Sequence, residues 1–185
     1  MLVSPSAEAT IAYNPRTGEE LWRVKHGGMN AASLPVYGLG RVFVTTAAGG
    51  EQLVAIRPEL KEPPTSSRID WSFKKNVPSR PSPLLVGDLL YMVNDGGVAS
   101  CVNAKTGELV GSTRLKGKFS ASPVYADGRI YFVSEDGPAT VVEAKPEMKV
   151  LAVNELDGNC MASPAASGKA LFLRTKTHLY RIEEK

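Results

Sequence analysis

SPVYADGRIYFV, residues Ser122–Val133, is the most informative segment of the chain for its fold. It places a Ser-Pro pair and a short apolar segment before an Asp-Gly turn, and a longer apolar and aromatic segment after it. Asp-Gly between two apolar segments is among the strongest local signals for a β-hairpin. Three related stretches occur elsewhere in the chain, and they read SLPVYGLGRVFV (Ser33–Val44), SPLLVGDLLYMV (Ser82–Val93) and SPAASGKALFLR (Ser163–Arg174).

The spacing of these copies predicts the architecture. Their prolines stand at positions 35, 83, 123 and 164, so successive copies are 48, 40 and 41 residues apart. A period of about 40–50 residues made of short strands is typical of a propeller blade. We therefore predict an all-β fold, a β-propeller of four-stranded antiparallel blades with about four blades present. In the unit that begins at Ser122, the four predicted strands are Ser122–Ala126, Arg129–Ser134, Thr140–Ala144 and Lys149–Asn154.

The repeats predict one domain over residues 1–185 that starts and ends within a blade. Thr10–Val24 matches the third and fourth strands of a blade, and Ser163–Glu183 matches the first three strands of another. The long, Pro-rich segment Arg57–Trp71 accounts for the 48-residue step, and we expect a mobile surface insertion there. The predicted units are a partial blade at residues 10–27, complete blades at 33–76, 82–117 and 122–158, and a last blade at 163–183.

An open array of blades exposes apolar sheet faces at its two ends, and three ways of covering them stay open. Glu20–Val24 can complete the last blade as its fourth strand and close a small ring. Alternatively, two copies can join through their open ends as a homo-oligomer, or the chain can persist as an open arc.

The apolar pattern also predicts how the blades pack. The second strand of each unit is apolar on both faces, which indicates sheets covered on both sides, as when blades stack face to face. The fourth strands are more polar, which suits an outer edge. Cys101 and Cys160 lack metal-ligand spacing, so we predict that both are small buried side chains.

Composition excludes several classes of protein. The net charge is +3 and the basic residues are scattered among acids, so we predict no nucleic-acid surface. No apolar run approaches the roughly 20 residues that a transmembrane helix needs. The first residues, MLVSPSAEAT, show no signal peptide, because they have neither a basic segment nor a long apolar one.

Several of these phrases resemble a known family. NPRTGEELW (Asn14–Trp22), NAKTGELVG (Asn103–Gly111) and SASPVYADGRIYFVSEDG look like the PQQ-like, or quinoprotein-like, β-propeller repeat, and within it like the exported bacterial BamB-like type. The resemblance spans nearly the whole chain. It implies a longer parent propeller of which this chain is the C-terminal part, and a periplasmic or cell-envelope location for the parent family.

The resemblance carries no cofactor residue over to this chain. Quinoprotein dehydrogenases of this group bind PQQ over a tryptophan floor, commonly with an adjacent-cysteine disulfide, a calcium site and a catalytic aspartate. Here the cysteines are not adjacent, and Trp22 and Trp71 lie in outer-strand phrases, where we expect them to pack between blades. We predict no catalytic residue, no cofactor and no metal ligand.

A weak candidate binding site lies in loops that strand order brings to one face. These loops connect one blade to the next, or join second to third strands within a blade. Arg80 is the best candidate for a charge that lines the channel; the alternatives are a solvated arginine and an ion pair with a nearby acid. Asp95 and Asp136 stand in Asp-Gly turns, which turn formation alone explains. The candidate residues are Arg80, Asp95, Lys118, Asp136 and Asn159.

Two classes of function stay open. The first is a non-catalytic binding or scaffold propeller that holds a protein or peptide, with cell-envelope assembly as one such role. The alternative is a fragment of a quinoprotein-like oxidoreductase or sugar-binding enzyme whose active site lay mostly in absent blades. Because no catalytic constellation is present in the sequence, we expect a binding protein rather than an enzyme.

Overall fold

A computed structural model of the chain describes residues 1–30, 32–59 and 68–183, and for Asn30 it describes the backbone alone. These residues form five antiparallel sheets, which we number in chain order. The first sheet consists of β1 (Leu2–Pro5), β2 (Ala9–Tyr13) and β3 (Glu20–Lys25). The second consists of β4 (Met29–Asn30), β5 (Val36–Gly38), β6 (Arg41–Ala47), β7 (Gln52–Ile56) and β8 (Ile69–Phe73).

The remaining three sheets repeat the same order of strands. The third sheet consists of β9 (Leu84–Val86), β10 (Leu89–Val93), β11 (Val98–Asn103) and β12 (Leu109–Arg114). The fourth consists of β13 (Val124–Ala126), β14 (Arg129–Val133), β15 (Ala139–Glu143) and β16 (Val150–Asn154). The fifth consists of β17 (Ala165–Ser167), β18 (Ala170–Arg174) and β19 (Leu179–Glu183).

The all-β fold with four-stranded antiparallel units is confirmed, and the structure adds two strands. Leu2–Pro5 pairs with β2 from Leu2 opposite Tyr13 to Pro5 opposite Thr10, so the first sheet has three strands where the sequence predicted two. The backbone N–H and the hydroxyl of Ser6 both donate to the carbonyl of Ala9 and close this hairpin. The second addition, β4, pairs with the end of β6, while β5 pairs with its start.

The sheets stack face to face, as the apolar second strands predict. Four apolar clusters lie between successive sheets, and each draws side chains from both neighbours. Phe43 from the second sheet packs with Leu90 and Met92 from the third, for example. Tyr91 from the third sheet packs in turn with Ile130 and Phe132 from the fourth. Burial on both faces of β6, β10 and β14 therefore comes from neighbouring sheets rather than from a helix layer.

The Ser-Pro pairs form a ladder of hydrogen bonds between sheets. The residue before each repeat proline donates its backbone N–H to the hydroxyl of the equivalent serine in the following sheet. Leu34 donates to Ser82, Ser82 to Ser122 and Ser122 to Ser163, each at 2.9 Å. The inner strands β5, β9, β13 and β17 contact one another in the same order. The ladder thus fixes how the second to fifth sheets are aligned with one another along their inner strands.

In the part of the chain that the structure describes, the first and fifth sheets have three strands each. In the first sheet β3 pairs with β2, so Glu20–Val24 does not complete the last sheet as one sequence-based arrangement required. Pairing β3 with β2 closes only a short loop, and this costs less chain entropy than pairing β3 with the distant last sheet to close a ring. The middle of the predicted insertion at Arg57–Trp71, residues 60–67, lies outside the described residues. The division into blades at the predicted boundaries remains a proposal.

Candidate functional site

The predicted loops meet at one end of the sheet stack, which we call the loop face. It consists of the connections between sheets and the turns between second and third strands. Backbone hydrogen bonds of 2.8–3.1 Å join the connections that follow the third and fourth sheets to neighbouring turns. They run from Phe119 N–H to Asp95, Glu135 N–H to Lys118, Cys160 N–H to Glu135 and Lys176 N–H to Asn159. The loop face is therefore tied to the stack by its own backbone.

Arg80 bridges two sheets on this face. Its Nε lies 3.5 Å from Oδ2 of Asp95 in the third sheet, and its Nη1 lies 3.1 Å from Oε1 of Glu135 in the fourth. Nη1 also donates to the hydroxyl of Ser120 at 3.1 Å. The Arg80 side chain is 54% exposed. Of the alternatives for Arg80, the structure places it in ion pairs with nearby acids while leaving half of its surface accessible.

Asp95 has a structural task as well as a charge. Its Oδ1 accepts the backbone N–H of Ser79 at 3.0 Å, while Oδ2 faces Arg80. The same carboxylate therefore contacts both the backbone and the Arg80 side chain of the connection that leads into β9. One oxygen of Asp95 thus accepts a charge-assisted hydrogen bond, and the other forms an ion pair.

The other three candidate residues lie on the same face without joining the Arg80 cluster. Asp136 is exposed and stands beside Gly117, where an added Cβ atom would come within 3.6 Å of its Oδ2. Lys118 and Asn159 are exposed and contribute backbone carbonyls to the loop hydrogen bonds. The structure thus gathers Arg80 and Asp95 in one cluster and spreads Asp136, Lys118 and Asn159 around it.

Two members of the Arg80 cluster were missed in the sequence. Glu135 follows β14 as Asp95 follows β10, so the repeat alignment contained the signal that both carboxylates face the same way. Ser120 donates its hydroxyl to Oε1 of Glu135 and accepts from Arg80. Both contacts join residues from different turns and connections, which a single repeat does not reveal.

The two cysteines are buried, as predicted. Cys101 lies in the cluster between the third and fourth sheets, and Cys160 in the cluster between the fourth and fifth. Burial raises the pKa of the Cys101 thiol to about 11 and also raises the pKa of Cys160. A thiol held protonated is a poor nucleophile and a poor metal ligand.

The two tryptophans pack between sheets, as the sequence predicts. The Trp71 ring lies 5.8 Å from the Phe43 ring, and its indole Nε1 donates to the carbonyl of Ala104 in the next sheet at 3.2 Å. Trp22 is buried in the cluster between the first and second sheets.

Within the described residues, no three His, Cys, Asp or Glu side chains come together as a metal site would need. His26 is held by Thr10 at 2.9 Å, and His178 is held by Thr177 at 2.9 Å. The described residues also form no helix with the length and apolar character needed to cross a bilayer.

Stacked four-stranded antiparallel sheets, with contacting inner strands and a shared loop face, define a β-propeller repeat protein. Comparison with known families agrees with this class. The family model described as outer membrane protein assembly factor BamB matches residues 7–64 and 62–160. The chain belongs to this family of PQQ-like repeat proteins. No curated protein sequence matches the chain significantly.

Solved structures share the fold at low sequence identity. BamB from Moraxella catarrhalis superposes with a TM-score of 0.74 at 16% identity, over 96% of this chain and 52% of that one. The computationally designed Ika8 protein gives 0.73 at 10% identity, over 97% and 57%. A europium-containing methanol dehydrogenase gives 0.61 at 10% identity, over 75% and 27%. The chain thus spans about half the length of the BamB structure, and these likenesses show the fold alone.

Proposed function

We propose that this chain is a non-catalytic scaffold that binds a protein partner through its loop face, in the cell envelope. The observation that carries the proposal is the Arg80 bridge, which leaves an arginine 54% exposed at the junction of two sheets. Arginine at a rigid, partly desolvated junction is a favoured anchor for protein recognition. The description of the family as an outer membrane protein assembly factor supports the envelope location and the protein partner.

The loop face has two properties that suit such a role. Its loops are held by backbone hydrogen bonds to neighbouring turns, so little ordering entropy is lost on binding. It also combines exposed cations with carboxylates, as in Lys118 beside Glu135 and Asp136, which favours a polar partner surface of mixed charge.

Photo-crosslinking tests the proposal. A photoreactive amino acid replaces Lys118 on the loop face or, as the control, exposed Lys149 at the opposite end of the fourth sheet. Each purified protein is mixed with a detergent-solubilised bacterial envelope fraction. We expect adducts from position 118 that excess unmodified chain competes away and that Arg80→Ala reduces about tenfold, the scale of losing an interface anchor.

Two results would contradict the scaffold role. One is an equal yield of adducts from positions 118 and 149, or no effect of Arg80→Ala. The other is dye-coupled oxidation of an alcohol or a sugar after PQQ and calcium are added. Arg80→Ala is a fair probe because exposed ion pairs contribute only about 0.2–1 kcal/mol, so the variant stays folded.

A further inference from the structure

The outer edge of the fourth sheet is an apolar strand without a charged residue. β16 reads VLAVN from Val150 to Asn154, and among the described residues it pairs with β15 alone. The exposed fraction is 43% for Val150, 46% for Leu151 and 54% for Val153. Such an edge offers unpaired backbone donors and acceptors together with apolar side chains, and this combination favours pairing with another strand.

The outer strands of the preceding sheets differ from β16 in their charge. β3 contains Glu20, Arg23 and Lys25, β8 contains Asp70, and β12 ends with Arg114. Charges on an edge strand prevent edge-to-edge pairing, because an approaching strand would have to bury them. A bulge interrupts all four strands at the equivalent position, so the bulge does not distinguish β16 from the others. Of these four described strands, β16 is the one that lacks charged protection.

The exposure of β16 does not come from the fifth sheet. Val150 pairs with Val142, and the register places Val153 on the same face of the sheet. Val142 packs in the cluster shared with the third sheet, which has four strands. Val110, the equivalent of Leu151 in the bulge of β12, is 40% exposed although its sheet has a neighbour on either side. The exposure of β16 is therefore that of an ordinary outer strand in this stack.

Two charges of opposite sign flank β16. Lys149 stands directly before the strand and Glu155 directly after it, and both residues are exposed. Within the described part of the chain, neither side chain joins an ion pair. The edge therefore has a positive end, an apolar middle and a negative end.

This order makes the edge complementary to itself. When two copies of β16 run antiparallel with Ala152 opposite Ala152, Lys149 of one copy faces Glu155 of the other. Leu151 then faces Val153, and two-fold symmetry makes each of these contacts occur twice. Directly opposite side chains of an antiparallel pair have Cβ atoms about 4.5–5.5 Å apart, which suits both ion pairs and apolar contacts.

We infer that β16 pairs with β16 of a second copy of this chain, which gives a symmetric dimer. The two fourth sheets then join through their outer edges into one continuous antiparallel sheet. Lys149–Glu155 pairs close both ends of the interface, and Leu151–Val153 contacts lie between them. Because the two strands run antiparallel, the loop faces of the two copies point in opposite directions. This dimer goes beyond the loop-face function and does not depend on it.

Sedimentation equilibrium of the 185-residue chain measures the dimer. One pair of strands buries less area than a standard interface, so we expect a reversible dimer with a Kd of about 10–100 μM. Lys149→Glu places like charges opposite each other at both ends, and Glu155→Lys does the same. Each variant is expected to raise the Kd about tenfold, because two favourable cross-strand pairs become unfavourable.

The double variant Lys149→Glu/Glu155→Lys tests the register itself. It restores both ion pairs with their signs exchanged, so its Kd is expected to return to within about threefold of the wild-type value. Two single variants that weaken the dimer without this rescue would contradict the pairing of Lys149 with Glu155. Photo-crosslinking at concentrations far below the Kd leaves position 149 unpaired, so that position still controls for the loop face.

A lysine in the middle of the strand tests the apolar contact. Leu151→Lys is expected to keep the chain monomeric at concentrations where the wild type dimerises, because an edge charge would be buried in the pair. Val110→Lys is the matched control, since Val110 occupies the equivalent bulge of β12 and is similarly exposed. It should leave the Kd unchanged. Both substitutions are at exposed positions, and circular dichroism checks that both variants stay folded.

Hydrogen exchange locates the contact. The amides of Val150–Asn154 are expected to exchange more slowly in the dimer than in diluted protein, while those of Leu109–Arg114 exchange equally at both concentrations. A chain that stays monomeric at millimolar concentration would overturn the inference. A dimer that Leu151→Lys and both charge reversals leave unchanged would overturn it as well, because that dimer would form through another surface.

Discussion

At the scale of the residue, one glycine shows how closely neighbouring sheets approach. Gly107 has a φ of +78°, and a Cβ atom built on it would lie 2.7 Å from the ring of Trp71 in the preceding sheet. The same ring donates its indole N–H to Ala104 in the turn that contains Gly107. The Thr-Gly phrase therefore serves the turn and the packing between sheets together.

Gly107→Ala is expected to destabilise the protein more than Gly128→Ala. Gly128 also has a positive φ, +71°, but no atom lies within 4 Å of its added Cβ. The control therefore measures the left-handed backbone alone, a cost of about 1–2 kcal/mol. The clash with Trp71 should add about 1–3 kcal/mol for Gly107→Ala. Urea unfolding of both variants measures the difference, and equal midpoints would contradict this account.

The buried thiol of Cys101 predicts a loss of stability at high pH. Burial raises the pKa of Cys101 from 9.0 to about 11 in the folded chain. Because this pKa is higher in the folded chain than in the unfolded one, the protonated thiol contributes to the free energy of unfolding. That contribution is fully present below pH 9 and is lost as the pH rises toward about 11. We expect the unfolding free energy of Cys101→Ala to fall less steeply over this range than that of the wild type. Parallel curves from urea titrations at each pH would contradict the prediction.

At the scale of the element, the Ser-Pro pair has two separate roles. The proline immediately precedes each inner strand, at a position where no backbone donor is needed. The serine accepts the N–H of the equivalent residue one sheet earlier. In the first copy of the phrase Leu34 stands where the others have serine, so the ladder has a donor but no hydroxyl at that end.

Ser122→Ala tests the ladder. It removes the hydroxyl that accepts the partly buried N–H of Ser82, so we expect a loss of about 1 kcal/mol in unfolding free energy. Ser167→Ala in the exposed strand β17 is the matched control, with an expected change within about 0.5 kcal/mol. Equal effects of the two substitutions in urea unfolding would show that the ladder contributes nothing.

At the scale of the whole molecule, stability depends on the position of a sheet in the stack. Among the described residues, the second, third and fourth sheets have an apolar cluster on each side, while the first and fifth have a cluster on one side. In a stacked array of this kind, the free energy of each unit depends on contacts with its nearest neighbours. The end sheets are therefore the units that open most readily.

Native-state hydrogen exchange is expected to follow this order. Amides of β6, β7, β10, β11, β14 and β15 should exchange most slowly, because these strands are buried on both faces. Amides of the first and fifth sheets should exchange about tenfold faster or more, since losing one of two neighbouring interfaces costs well over 1.4 kcal/mol. Uniform protection across all five sheets would mean that the stack opens as one cooperative unit.

Much of the fold was predictable because its signals are local. The four strands predicted for the unit that begins at Ser122 agree with β13, β14, β15 and β16 to within two residues at each end, since turn residues and apolar runs within a few positions specify each hairpin. The strand Leu2–Pro5 escaped prediction because it is short, partly exposed and specified by pairing with β2 rather than by its own pattern. Within the candidate site, Arg80 and Asp95 were identified, while Glu135 and Ser120 were not.

The repeat, the four-strand unit and the burial of its second strands follow from the amino-acid sequence, because hairpin signals and apolar runs act over short stretches of chain. The contact of Arg80 with Glu135, 55 positions away, and the partial exposure of Tyr131 where Tyr91 is fully buried are visible only in the folded chain. The physical reason is that both outcomes depend on what a neighbouring sheet places against the residue, and a repeat in sequence does not specify its neighbour.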